Sequence, residues 1–154
     1  MSVNSKLQRA FEQGRALKII SGLNNFDAAN VAAVVKAADL GGASFVDIAC
    51  DRDLVLMAKQ LTNLPICVSA VEPEKFVAAV EAGADLIEIG NFDAFYAVAR
   101  RFDAEDVLAL TPHTPSLFPN LPPSLPVPHP PTLHPPPPPT PHLAPPPPTT
   151  TPTA

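Results

Sequence analysis

After Thr111 the chain changes from one kind of polymer into another, and that change limits what it can fold into. All 25 acidic and basic residues lie at or before Asp106, whereas residues 112–154 carry 20 of the 22 prolines, all four histidines and no formal charge. Proline has no backbone donor, so a segment this rich in it cannot build a helix or a regular sheet ladder. No aromatic residue follows Phe118, which leaves too little apolar area to offset the entropy of ordering. The sequence therefore divides into a folded unit, residues 1–111, and a proline-rich, low-complexity, disordered tail, residues 112–154. A unit of about 110 residues is long enough for a single hydrophobic core.

Charge and cysteine usage narrow the function classes. The net charge of -5 is scattered along the first part with no basic stripe, which excludes a nucleic-acid footprint. No apolar run approaches the roughly 20 residues of a membrane span, and the first residues lack the apolar stretch of a secretory signal. A cytoplasmic location follows. Cys50 and Cys67 are far apart and flanked by apolar runs, so the pattern predicts two reduced, partly buried thiols and no metal site.

Within the folded unit, short apolar runs alternate with helical periods. Leu7, Ala10 and Phe11 recur at helical spacing and predict a helix over 5–13, stopped by Gly14. Strands are expected at 17–21, 45–49, 66–70 and 86–89, each a continuous apolar run of the kind buried on both faces. Between them, Asp27 caps a helix through Ala38, Asp51 or Asp53 starts a helix to Leu61, and Pro73 suits the first turn of a helix ending at Gly83. Further helical turns are expected at 93–101 and 104–110. The segment GASFVDI from Gly42 to Ile48 echoes GADLIEI from Gly83 to Ile89 at an offset of 41 residues. An offset near 40 that covers two strand-helix units predicts parallel α/β architecture of the barrel type, with a doubly wound open sheet as the alternative. Against that alternative, the turn after the first strand, Ser21 to Asp27, lacks the G-x-G-x-x-G spacing of a dinucleotide-binding turn.

Four segments carry a family resemblance: ALKIISGLNNFD from Ala16 to Asp27, FVDIA from Phe45 to Ala49, LTNLPICVSAVEPEKF from Leu61 to Phe76, and GADLIEIGNFD from Gly83 to Asp93. Together they closely resemble an uncharacterised family found in cyanobacteria and encoded in some algal plastid genomes, regarded as having an aldolase-type TIM barrel. The resemblance covers about residues 7–111 and implies the first half of such a barrel, in the cytoplasm or the plastid stroma. It brings a fold but no established reaction, and the sequence specifies no cofactor. The later strand-helix units of the family, with their glycine-rich, phosphate-site-like end, are not recognisable here. This chain is accordingly expected to be a truncated or degraded member without catalytic competence. Residues 120–129 resemble a degraded fifth strand, whose prolines would remove ladder donors.

The candidate chemistry lies on the strands. Lys18, Asp47 and Glu88 sit among apolar neighbours, where an ionised group must be paired or neutralised. In a closed barrel they would converge near the carboxyl ends of the strands, the lysine as electrophile or Schiff-base former and a carboxylate as general base. The Gly83–Gly90 segment is also similar to a strand of the tryptophan synthase alpha chain whose carboxylate is catalytic. The structural alternative is a generic helix-to-strand junction with Glu88 paired to Lys18. The loops after the strands supply Ser21, Asn24 and Asn25, then Ser69 and Glu72, then Asn91, as candidate contacts to a small, perhaps phosphorylated, metabolite. Asp27, Asp51 and Asp93 read as helix caps. In the tail, Pro135–Pro139 and Pro145–Pro148 favour polyproline II, but no Arg, Lys or Tyr is present to complete a common recognition motif, so a spacer or nonfunctional extension is expected. Its Pro, Thr, Ser and Ala share a middle codon base, as a reading-frame shift into C-rich sequence would produce, whereas the fifth-strand echo favours decay or an artificial sequence. A half barrel exposes two sheet edges and an inner face, which predicts a homodimer through those edges.

Overall fold

The computed structural model describes residues 5–90 together with Glu105, Ala109, Phe118, Leu121, Pro123 and Ser124. Helix α1 spans Ser5–Glu12, followed by strand β1 (Lys18–Ile20), α2 (Ala28–Leu40), β2 (Phe45–Ala49), α3 (Arg52–Leu61) and β3 (Ile66–Ala70). A short 3-10 turn, Pro73–Lys75, leads into α4 (Phe76–Glu81), then β4 (Leu86–Ile89) and the two-residue β5 (Pro123–Ser124). The expected strands over 45–49, 66–70 and 86–89 coincide with β2, β3 and β4. The expected helix over 93–101 lies outside the described residues, and of 104–110 only Glu105 and Ala109 are described, both helical.

Local chemistry explains where the helices begin. The Asp27 carboxylate accepts from the Asn30 backbone N–H at 2.8 Å and opens α2, and the Asp51 carboxylate accepts from the Asp53 and Leu54 N–H groups, both at 2.9 Å, and opens α3. No side chain caps α4; Pro73, whose missing N–H would be an orphan there in any case, begins that segment.

The strands form one parallel sheet in the order β1-β2-β3-β4-β5. Among the described residues the order never reverses, so no switch point of the kind that marks a doubly wound fold occurs there. Helix α2 packs on β1 and β2, α3 on β2 and β3, and α4 on β3, while α3 touches both α2 and α4, so these helices make one layer on one side. Because side chains alternate along a strand, Val46, Ile48, Ile66, Val68, Ile87 and Ile89 all turn toward that layer. There they meet Val31, Val35, Val55, Ala58, Phe76 and Ala79 in a fully buried core.

The other face begins with apolar residues at its lower end. Leu7 of α1 packs there against Phe45, Cys67 and Leu86, and Phe11 lies beside Phe45 with ring centroids 5.7 Å apart. Helix α1 thus covers the amino-terminal end of the inner face.

The internal echo has a structural cause. At both junctions a glycine with positive φ (73° at Gly42, 105° at Gly83) ends the helix, and the next alanine N–H donates back to Ala38 or Ala79. The third residue then bonds the edge of the preceding strand. Ser44 Oγ accepts from Leu17 N–H at 3.0 Å, and Asp85 Oδ2 accepts from Ile66 N–H at 2.8 Å. Gly-Ala-Ser and Gly-Ala-Asp are therefore two versions of one helix-to-strand clamp.

The sheet also draws on the charge-free segment. Pro123 and Ser124 pair with Ile87 and Glu88, Leu121 is buried in the main core, and Phe118 meets Phe76 edge-on at 6.4 Å. These residues lie beyond the 111/112 boundary read from composition, and Pro123 and Ser124 belong to the stretch that echoes a fifth strand. Proline is tolerated at the first residue of an edge strand, where its missing donor interrupts no interior ladder.

Candidate functional site

The same alternation that buries valine and isoleucine outside turns Lys18, Asp47, Ser69 and Glu88 inward, together with Phe45, Cys67 and Leu86. The three charged residues read from the sequence come together. Lys18 Nζ donates to Glu88 Oε2 at 2.6 Å and to Asp47 Oδ2 at 3.3 Å, and the Ser69 hydroxyl lies 2.7 and 2.9 Å from the two Asp47 oxygens. Asp47 is 1% exposed and Glu88 8%, whereas the Lys18 side chain keeps 22% of its surface open. The lysine stem begins on β1, at the end of the described strand order, and reaches across the face, so its ammonium spans strands that are not neighbours.

Burial sets the electrostatics. Desolvation raises the Asp47 pKa above the usual carboxylate value, and the Ser69 hydrogen bond and the Lys18 charge offset only part of that rise. Desolvation alone would lower the Lys18 pKa; the hydrogen bond to Glu88 and the attraction of Asp47 and Glu88 outweigh it and hold the group above its ordinary value. A raised pKa keeps Lys18 an ammonium, the state that binds anions and developing oxyanions and not the free amine that attacks a carbonyl. Burial, with Asp47 and Glu88 nearby, pushes the Cys67 thiol well above its normal value. Burial likewise raises Cys50, to about 12, where its Sγ donates to the Lys75 carbonyl. Both cysteines are free, Cys67 buried and Cys50 half-buried. Asp47, Cys67 and Glu88 each bring one donor atom within 4.8 Å of the others, and the Lys18 ammonium bridges the two carboxylates of that group.

The loop residues divide. Asn25 donates to Ser21 Oγ at 2.9 Å and to Asn30 Oδ1 at 3.0 Å, while its own Oδ1 accepts from Asp27 N–H, so its polar groups and Ser21 organise the loop ahead of α2. Asn24 is exposed beside it. Glu72 pairs with Lys75 on the surface at 3.2 Å. Ser69 lies in the sheet against Asp47, away from these loops. Asn91 and Asp93 lie outside the described residues. Cys67 is the inner-face residue that reading charges alone overlooks; the two-residue period from Cys67 to Ser69 on β3 is the signal that puts it beside Asp47.

A parallel α/β sheet with a lysine and two carboxylates gathered on the face its helix layer leaves free defines the class of protein. The chain belongs to the family described as "Protein of unknown function (DUF561)", whose model matches residues 2–134. It is 47% identical over 128 residues to "Uncharacterized protein ycf23" of Cyanophora paradoxa, covering 82% of this chain and 53% of that protein. It is 35% identical over 126 residues to the protein of the same description from Antithamnion sp., covering 82% and 46%, and 33% identical over 129 residues to that of Pyropia yezoensis, covering 84% and 47%. The relatives place it in an uncharacterised, plastid-encoded type of family. The chain spans about half the length of these curated relatives. No described helix is long and apolar enough to cross a membrane.

Proposed function

We propose that this family forms an aldolase-type (β/α) barrel that binds a small, oxygen-rich metabolite on its inner face, and that this chain supplies the half carrying Lys18, Asp47 and Glu88. The observation behind this reading is the Lys18 ammonium bonded to carboxylates from two other parallel strands on the face opposite the helices. In a barrel that face is the interior, and polar side chains there serve the site. Lys18 acts as a fixed positive charge toward a carbonyl, carboxylate or phosphate oxygen, and a neighbouring carboxyl exchanges protons with the ligand. The chain alone, with one half of the barrel loops, binds without turning over. It works in the cytoplasm or the plastid stroma.

The test is thermal-shift screening of a panel of phosphorylated and carboxylated metabolites against this chain and against a full-length relative. A ligand that stabilises both, and stabilises neither once Lys18 is replaced by Met, supports the reading. Stabilisation that survives Lys18→Met places the ligand elsewhere.

A second reading is a noncatalytic half barrel that pairs with another copy of itself. It is favoured by the unpaired β1 edge, where Leu17 and Ile20 are each 49% exposed beside a cleft of about 350 Å³ that also involves Ile19, Val34 and Ala37. Sedimentation distinguishes the two: a dimer that Ile20→Lys converts to a folded monomer supports self-pairing.

A further inference from the structure

We infer that Asp47 holds a proton in the resting protein at neutral pH, and that the inner face stores this proton between Asp47 and Ser69 while Lys18 and Glu88 form the ion pair. The reason is a charge count inside a buried cluster. Among the described residues, two carboxyl groups and one cation meet on this face; the others turned toward it are the Cys67 thiol, the Ser69 and Ser124 hydroxyls and the apolar Leu7, Ile20, Phe45, Ala49 and Leu86. A net negative charge held in low dielectric is removed by taking up a proton.

Geometry then decides which carboxyl takes it. Lys18 is much closer to Glu88, at 2.6 Å, than to Asp47, at 3.3 Å, and Asp47 is the more deeply buried of the two. The Ser69 oxygen lies within hydrogen-bond distance of both Asp47 oxygens, yet a hydroxyl has a single hydrogen to give. If Asp47 carries its own hydrogen, both contacts become bonds, one donated by serine and one accepted by it. The desolvation that raises Asp47 acts in the same direction.

This assignment concerns the chain without ligand and stands independently of the function proposed above. Its use in chemistry rests on that reading. The stored proton passes to a ligand oxygen, the Asp47 O–H bond breaks as the ligand O–H bond forms, and the resulting carboxylate remains between the Ser69 hydroxyl and the Lys18 ammonium. The ligand group this suits is a basic, negatively charged oxygen such as that of an enolate, which the proton converts to an enol.

The experiment is infrared spectroscopy of the whole chain at neutral pH, without ligand, comparing unlabelled protein with protein carrying carboxyl-13C aspartate or carboxyl-13C glutamate. One protonated-carboxyl band is expected, shifted by labelled aspartate and untouched by labelled glutamate. Absence of the band, or a band that follows glutamate, overturns the inference. The count extends to variants that fold: Asp47→Asn and Glu88→Gln each leave one carboxyl for one cation and should abolish the band, while Lys18→Met should give two. A band that persists in folded Asp47→Asn also overturns it. The wild-type labelling decides the matter even if every variant unfolds.

Discussion

The two faces of the sheet come from the same strands, yet they are built on opposite principles. Toward the helices, Val46, Ile48, Ile66, Val68, Ile87 and Ile89 are sealed by side chains with no polar atoms. Toward the interior, the lower part is apolar and covered by Leu7, while the part above it holds Lys18, Asp47, Ser69 and Glu88 in one hydrogen-bonded group. The outer face secures stability through packing. The inner face keeps buried charge, which contributes little net stability when paired and much instability when broken. Hydrophobic replacement of such a group is often neutral or stabilising, and that is the physical ground for proposing the site there.

The sharpest challenge to this contrast is Phe76→Ala. Phe76 is fully buried under the outer layer and touches Phe118, so its truncation should cost about 3–5 kcal/mol in urea unfolding. A much smaller loss would mean that the helix layer is not the mainstay of the fold. Next comes Lys18→Met, which strands Asp47 and Glu88 without their cation. Breaking a buried pair costs about 3–5 kcal/mol, and the partial exposure of Lys18 places the effect near about 3. The variant should recover stability on acidification, as the carboxyls of its unfolded chain take up the protons that the folded cluster already holds; a loss independent of pH would point to packing instead. Leu7→Ala should cost about 2 kcal/mol and, by loosening α1, open Cys67 to thiol reagents that the intact protein resists. Equal Cys67 labelling in both proteins would show that α1 does not close that end of the face. Asp51→Ala removes two cap hydrogen bonds and should cost about 1 kcal/mol, read as faster amide exchange in the first turn of α3 with the inner face unchanged.

The pH profile tests the inner face alone. Lys18 and Asp47 both have folded pKa values raised above their ordinary ones, so the native state binds each proton more tightly than the unfolded chain does. Stability linked to each is complete below the ordinary value and lost as pH rises through the higher folded value. For Asp47 that window opens just above the usual carboxylate range and, with the protonation inferred above, runs past neutral pH; for Lys18 it opens just above the usual lysine range. Melting temperature followed against pH in wild type and Asp47→Asn should show the acidic-side decline only in wild type.

Much of the fold was legible because its signals are local. Asp27 and Asp51 stand where a carboxylate can accept orphan N–H groups, and both cap helices as read. The apolar runs at 45–49, 66–70 and 86–89 have strand length and turn-forming neighbours, and the two Gly-Ala junctions repeat because they make the same clamp. The first strand is shorter than its apolar run, since β1 is an edge with one partner and Leu17 and Ser21 lie outside its ladder span. The fifth strand was hardest to read. Composition at 120–129 argues against pairing, but Leu121 and Phe118 find core partners that anchor Pro123 and Ser124 against β4.

For the candidate site, the sequence by itself singled out a lysine and two carboxylates among apolar neighbours, at positions whose two-residue period puts each on the face opposite the outer core. It could not decide their distances. Only the tertiary structure made Lys18 the partner of Glu88 before Asp47, took Ser69 out of the loop contacts and set it beside Asp47, and turned Asn25 into a brace for its own loop. The reason is that periodicity is a property of one strand, whereas the pairing of a charge depends on register between strands and on how far a flexible side chain reaches across them. Those quantities exist only once β1 to β4 lie side by side.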